Sequence, residues 1–181
     1  MLLSSIGAHH AQGNGPVDRE HAFEVAFGAY ANTTIVRAAY FVENWRNVLE
    51  PIVGAGILPT FLAPEVPIPM VGVDDIGAVV ASALIEPPSS RIVELAGPED
   101  VTPEEVAARF AEAVGRSVRL APSPPSEAVP LVESLGFTGH VAELVGQMYR
   151  GYHAGTMAFE GSPTRSPTPL SQAIRSIVRD R

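Results

Sequence analysis

The chain has 181 residues, 46% of them hydrophobic, and a net charge of −8, so it is long enough to bury a real core. The acidic balance argues against general nucleic-acid binding, which needs Lys and Arg against phosphate, and no apolar run reaches the length of a membrane span. The sequence holds no cysteine, which excludes disulfides, thiolate catalysis and zinc–thiolate sites; with no basic segment ahead of its first apolar run, a cytoplasmic location is expected.

Residues 2–8, Leu-Leu-Ser-Ser-Ile-Gly-Ala, read as a buried parallel strand running into a Ser-Gly loop. Such a strand is covered on both faces and needs neighbouring strands, so a preceding layer with a phosphate-binding glycine turn is expected, outside this sequence. Residues 9–16 form a loop around Gly13-Asn14-Gly15 and Pro16. Residues 18–31 are helical, with Ala22, Phe23, Ala26, Phe27 and Tyr30 as the apolar stripe,. A β-branched strand at 33–37 follows, then a helix over 40–53 with Phe41, Trp45, Val48, Leu49 and Ile52 inward, ended by Gly54-Ala55-Gly56,. This strand–helix–strand–helix order predicts an α/β fold with a doubly wound parallel sheet.

Residues 57–69 are proline-rich and irregular, with short strands predicted at 58–61 and 67–71. Asp74 and Asp75 open a helix that Pro87-Pro88 terminates,. Residues 92–95 form a strand, and Gly97-Pro98 turns the chain. Thr102-Pro103-Glu104-Glu105 carries an N-cap threonine, a proline at the first helical position and a capping-box glutamate, so a helix runs from there to Val114,. A short strand at 117–120 and helices at 127–135, 141–152 and 170–179 complete the prediction, the last after a proline-rich loop at 162–169.

Several side chains admit two readings. His9, His10, Asp18, His21 and Glu24 are metal-capable residue types, but the loop histidines have no fixed spacing to the helix; no metal site is expected. His21 is the candidate proton donor, because its neutral range suits acid–base work. Glu20 and Glu24 stand four apart as an acid–base pair or as solvated helix charge, the latter favoured. Arg37 ends a strand, where it meets a cofactor phosphate or pairs with Glu43 or Glu24. Tyr40 and Trp45 sit at a strand-to-helix corner where pockets form, Trp45 mainly as core. Met148, Tyr149, Tyr152 and Met157 form an apolar wall over a planar ligand or pack the last helices. Arg175, Arg179 and Arg181 complement the dipole of the final helix.

Five segments together resemble the NmrA-like family of atypical short-chain dehydrogenases, which includes NAD(P)H-dependent quinone and azo reductases. They are Leu3-Ser4-Ser5-Ile6-Gly7-Ala8, residues 34–45 from Thr34 to Trp45, Val73-Asp74-Asp75-Ile76-Gly77, Leu95-Ala96-Gly97-Pro98-Glu99 with Thr102, and Thr168-Pro169-Leu170. The resemblance implies that residues 1–56, with strand 91–96 returning to them, are the C-terminal half of an NAD(P)-binding Rossmann-like domain. Residues 57–181 then form a smaller, mostly helical substrate lobe. It further implies NAD(P)H as cofactor, held by Ser4, Ser5, Gly7, Ala38, Ala39, Tyr40 and Phe41. A small-molecule acceptor would lie against Tyr40, Asn44, Met148 and Tyr152, and a homodimer is compatible.

The sequence departs from the family pattern in three places. No G-x-G-x-x-G occurs, so tight dinucleotide binding by these residues alone is not expected. Counting back from Glu24, the usual Lys and Tyr positions hold Glu20 and Pro16, which excludes tyrosine-based alcohol dehydrogenation. The usual Pro-Gly is Ala38-Ala39. Hydride transfer to a quinone or azo acceptor survives these changes, because such acceptors take their proton from water. A non-catalytic NAD(P) sensor and a fragment that binds no dinucleotide are the alternatives.

Overall fold

The fold is known from a computed structural model that describes residues 1–87 and 89–180. Pro88, half of the expected helix stop, and Arg181, of the expected C-terminal arginine group, lie outside the described residues. In chain order the first elements are β1 (Leu2–Ser5), α1 (Val17–Gly28), β2 (Thr34–Ala38) and β3 (Tyr40–Phe41). A 3-10 segment, Val42–Val48, runs into α2 (Leu49–Ala55), followed by β4 (Ile57–Thr60), β5 (Ile68–Val71) and α3 (Val73–Ile85). Next come β6 (Arg91–Ala96), β7 (Asp100–Val101), α4 (Pro103–Val114) and β8 (Arg119–Pro122). The chain closes with α5 (Ala128–Ser134), α6 (Gly139–Ala154), β9 (Thr164–Arg165) and α7 (Leu170–Arg179).

The main sheet is parallel throughout, in the order β1-β2-β6-β9. Ser5 stands opposite Ala38, and Ala38 opposite Leu95, so three strands end side by side. Two smaller sheets flank it: β3-β5-β7, and the parallel pair β4-β8. Tyr40, Trp45, Ile52, Leu58, Phe110 and Ile174 belong to the larger core. Val36, Ala38, Val71 and Leu95 form a second core on the other side of the sheet. The α/β expectation therefore holds, with a Rossmann-like parallel sheet. None of the described helices is long and apolar enough to cross a membrane.

Two expectations fail, for β1 and for residues 40–53, and two features, the face of α1 and the shortest strands, were open in the sequence. The first strand is not buried on both faces: β1 pairs with β2 alone among the described residues, and Leu3 is 42% exposed. The stripe of α1 points outward, with Phe23, Phe27 and Tyr30 exposed and Glu24 facing the sheet. The helix expected over 40–53 begins as strand β3 and a 3-10 turn; only its last two turns are α-helical. Strands β7 and β9 are two residues each, too short for any alternation to reveal them,.

By contrast α4 starts as its residues dictate. The Glu105 amide donates to Thr102 Oγ1, and the Thr102 amide donates to the Glu105 carboxylate, the reciprocal satisfaction of two orphan donors.

Candidate functional site

Beyond the end of β1 the chain is pinned by polar contacts, not by a helix dipole. Asn14 is 1% exposed and donates from Nδ2 to the Gly7 and Thr156 carbonyls. Thr156 Oγ1 donates back to Asn14 Oδ1 at 2.6 Å. The amides of Gly13 and Asn14 donate to the Asp18 carboxylate, so that small anion-sized nest is filled by the chain's own side chain. Gly7 adopts φ +81°, and a Cβ there would lie 2.9 Å from Asn14 Nδ2 and 3.0 Å from Met157 Sδ. This clamp ties the β1 exit to the C-terminal end of α6.

The sheet-facing side of α1 carries a buried charge cluster. Arg37, 4% exposed, donates from Nη2 to Glu24 at 2.6 Å and from Nε to both Glu24 oxygens. It also pairs with Glu160 and lies 3.5 Å from Glu94. Ser4 Oγ donates to Glu24 at 2.5 Å. Hydrogen bonding to Glu24 raises the Arg37 guanidinium further above its already high value, so it stays charged. Of the two readings for Glu24, neither solvated charge nor a free acid–base partner holds, because the carboxylate is sequestered with Arg37. Arg37 does not reach Glu43, which instead accepts from the Val73 amide.

His9 and His10 lie beside this cluster with ring centroids 3.9 Å apart. Burial, reinforced by His10, lowers the His9 pKa below the usual imidazole range of about 6.5,. The bond from Arg37 lowers the Glu160 carboxyl. For His9, the unfolded chain binds a proton through about pH 6.5 while the folded chain resists it, so stability is full above that pH and falls below it. The depressed Glu160 acts in the same direction at lower pH, its contribution vanishing as pH drops through its folded value. Unfolding free energy measured by urea titration is expected to fall from pH 7.5 to 5. His9→Gln should flatten the upper part of that slope; an unchanged slope would exclude His9 as its source.

Past the carboxyl ends of β2 and β4 lies a cavity of about 340 Å³. Tyr40 enters from β3, Asn44 from the 3-10 segment after it, Thr60 and Phe61 from the end of β4, and Met148 and Tyr149 from α6. None of its lining residues is charged. The Phe61 and Tyr149 rings meet at a tilt of 57° with centroids 5.2 Å apart, and His153 Nε2 lies 2.8 Å from the Phe61 carbonyl oxygen. Burial pushes the Tyr40 phenol well above its ordinary range, and the neighbouring Tyr149 and Tyr152 add to the rise. Tyr149 is also raised by burial. Beyond the carboxyl ends of parallel strands is where α/β folds place their ligands.

The residues singled out in the sequence fall into three groups. Tyr40, Asn44 and Met148 line one cavity, while Tyr152 sits behind Tyr40, edge-on at 5.8 Å and 6% exposed. Ser5, Ala38 and Ala39 come together at adjacent strand ends, where the Ile6 amide donates to the Ala38 carbonyl and Ala39 to Leu95. Ser4 is turned to Glu24, Gly7 is held in the Asn14 clamp, and Phe41 packs with the second core, opposite Tyr40. His21 Nδ1 engages the Ala8 carbonyl at 2.8 Å. Sequence reasoning gave Phe61 and Thr60 no role in the site; their only signal was a short strand ending in an aromatic residue.

No known protein family matches this chain, and no curated protein does. Similarity to solved structures defines the class: the fold is that of Rossmann-like α/β proteins. One match is a NADPH-dependent quinone oxidoreductase from Escherichia coli, with TM-score 0.76 and 19% identity, covering 97% of this chain and 66% of that one. The triphenylmethane reductase of Citrobacter sp. matches with TM-score 0.74 and 16% identity over 98% of this chain and 63% of its own. A nucleoside-diphosphate-sugar epimerase from Staphylococcus aureus gives TM-score 0.74 and 16% identity over 96% and 63%. The chain thus spans 63% to 66% of the length of these three proteins.

Proposed function

We propose that this chain carries the acceptor-binding side of an NmrA-like, NAD(P)H-dependent oxidoreductase that reduces a quinone-like or azo acceptor. The observation that carries the reading is the uncharged aromatic cavity beyond the ends of parallel strands, lined by Tyr40, Asn44 and Met148. Likeness in fold to NADPH-dependent reductases supports it.

The residues present suit the nicotinamide half of the cofactor. Ala38 and Ala39 are small and buried at the end of β2, directly before Tyr40 of the cavity wall. For the pyrophosphate half the described residues offer no seat, since the amides of Gly13 and Asn14 are already taken by Asp18. When bound, NAD(P)H supplies a hydride. The chain's own part is to hold a planar acceptor between Tyr40 and the Phe61–Tyr149 pair, to exclude charge from its surroundings, and to leave its proton to come from water.

Reduced nicotinamide mononucleotide, which lacks the second phosphate and the adenosine, separates these contributions. Followed at 340 nm with 1,4-naphthoquinone as acceptor, both it and NADPH are expected to be oxidised above the protein-free rate. Their kcat/KM values should agree within about tenfold, because only the nicotinamide half finds contacts here. Binding of NADPH without turnover would favour a sensor. Absence of both binding and turnover would overturn the proposal.

A further inference from the structure

Among the described residues the main sheet ends differently on its two sides. Strand β9, at one edge, is two residues long, follows Pro163 and contains Arg165; short length, charge and proline all resist further pairing. Strand β1, at the other edge, runs over Leu2–Ser5 with neither a charge nor a proline. The Ile6 amide donates to the Ala38 carbonyl. By the alternation of a strand, residues 2, 4 and 6 then turn their backbone groups toward β2, and Leu3 and Ser5 turn theirs to the free edge. The Leu3 side chain is half-exposed as well.

The helix beside that edge is apolar where it overhangs it. Between Ala22 and Ala31 the one charged residue is Glu24, which is buried against Arg37. A β–α–β crossover is right-handed, and each helical step turns roughly 100°. With Glu24 turned to the sheet, residues 23, 27 and 30 therefore lie on the side of β1, not of β2. Phe23, Phe27 and Tyr30 form this row, with successive ring centroids 6.5 and 6.3 Å apart, and all three are exposed. A half-exposed aromatic leaves on the order of 100 Å² uncovered. The row thus offers about 300 Å² per copy, before Leu3 and the strand backbone are counted, toward the roughly 800 Å² per copy of a stable interface.

We propose that β1 is the seam of a symmetric dimer, in which two copies of this chain pair their β1 strands antiparallel and join their sheets into one. A two-fold axis normal to the sheet keeps equivalent faces on the same side, so α1 lies beside α1 of the second copy. Glu24 meets both Ser4 of β1 and Arg37 of β2, which seats each helix over the gap between those strands. The two helix axes then come about 10 Å apart, two strand spacings, which is the contact distance of packed helices. The aromatic rows fill the seam, and the outward backbone groups of Leu3 and Ser5 gain partners. At a net charge of −8 per chain, two copies repel over most of their surface, and this uncharged face is where they meet without opposing like charges. The dimer does not depend on the reductase reading.

Sedimentation equilibrium of the purified chain at micromolar concentration is expected to give twice the monomer mass. Hydrogen exchange should find the Leu3 and Ser5 amides protected in concentrated protein and exchanging freely on dilution. In Leu3→Pro the lost amide is one that faces the free edge, so pairing with β2 survives and a folded monomer is expected. Phe27→Lys sets like charges against each other across the seam and should weaken the dimer about tenfold or more while the far-UV circular dichroism stays unchanged. Should Leu3→Pro fail to fold, Phe27→Lys, altered at an exposed side chain, still decides. A monomer at every concentration, an open series of larger oligomers, or a dimer left equally strong in either folded variant would each overturn the proposal.

Discussion

Replacing Arg37 with alanine is expected to cost about 3–5 kcal/mol of unfolding free energy, the range seen when one partner of a buried ion pair is removed. The structural reason is specific. Arg37 faces Glu24, Glu94 and Glu160, and Glu24 is only 8% exposed. Without the guanidinium, Glu24 keeps one neutral donor, Ser4 Oγ, and its charge is stranded in a low-dielectric space. Glu24→Gln should cost less, since it leaves a neutral amide against Arg37, with Glu94 and Glu160 still able to compensate the cation. In the double variant Arg37→Met, Glu24→Leu most of the loss should be recovered, because both poorly solvated groups go together. Urea unfolding of the wild type, Arg37→Met, Glu24→Leu and the double variant reads the cycle. Losses that simply add would show that Arg37 and Glu24 act independently.

Gly15→Ala is the second large effect, at about 2–4 kcal/mol from left-handed strain plus overpacking. Gly15 has φ +65°, and a Cβ there would collide with the Leu144 carbonyl oxygen and crowd the Met148 amide, at 3.1 Å. Those are backbone atoms of α6 and cannot turn aside as a side chain would. The helix must shift, and it carries Met148 and Tyr149 of the cavity wall. The variant should therefore lose naphthoquinone affinity as well as thermal stability. Gly13→Ala is the control: its φ is also positive, at +102°, but a Cβ there meets nothing within 4 Å. It should show only the backbone strain and leave ligand affinity intact. Equal affinity loss in both variants would mean that contact with α6 is not the cause.

How far the residues alone reach is best seen in α1 and α4. The start of α4 is written locally: a threonine, a proline and a glutamate within four positions satisfy each other's backbone groups wherever the helix is placed,. Helix α7 was equally legible, and its bounds match expectation. For α1 periodicity correctly predicted a helix and left open which face is buried. Period 3.6 shows that apolar residues share a side, but not whether that side meets a core. Here the long-range pair between Glu24 and Arg37, thirteen residues apart, turns the helix so that its aromatic row faces out.

The candidate site divides in the same way. Tyr40, Asn44 and Met148 were chosen from a strand-to-helix corner and a family resemblance, and they line one cavity. That Thr60 and Phe61 join them depends on β4 ending beside β3 and the 3-10 segment, which no local pattern encodes. By itself the sequence determined the parallel strand–helix alternation, the absence of thiol chemistry and the helix boundaries set by caps and prolines. These follow from local sterics and composition. The tertiary structure decided which face of α1 is buried, which carboxylate keeps Arg37 and which aromatic rings enclose the uncharged cavity. These rest on contacts between residues far apart in the chain, whose burial and desolvation exist only once the strands have paired.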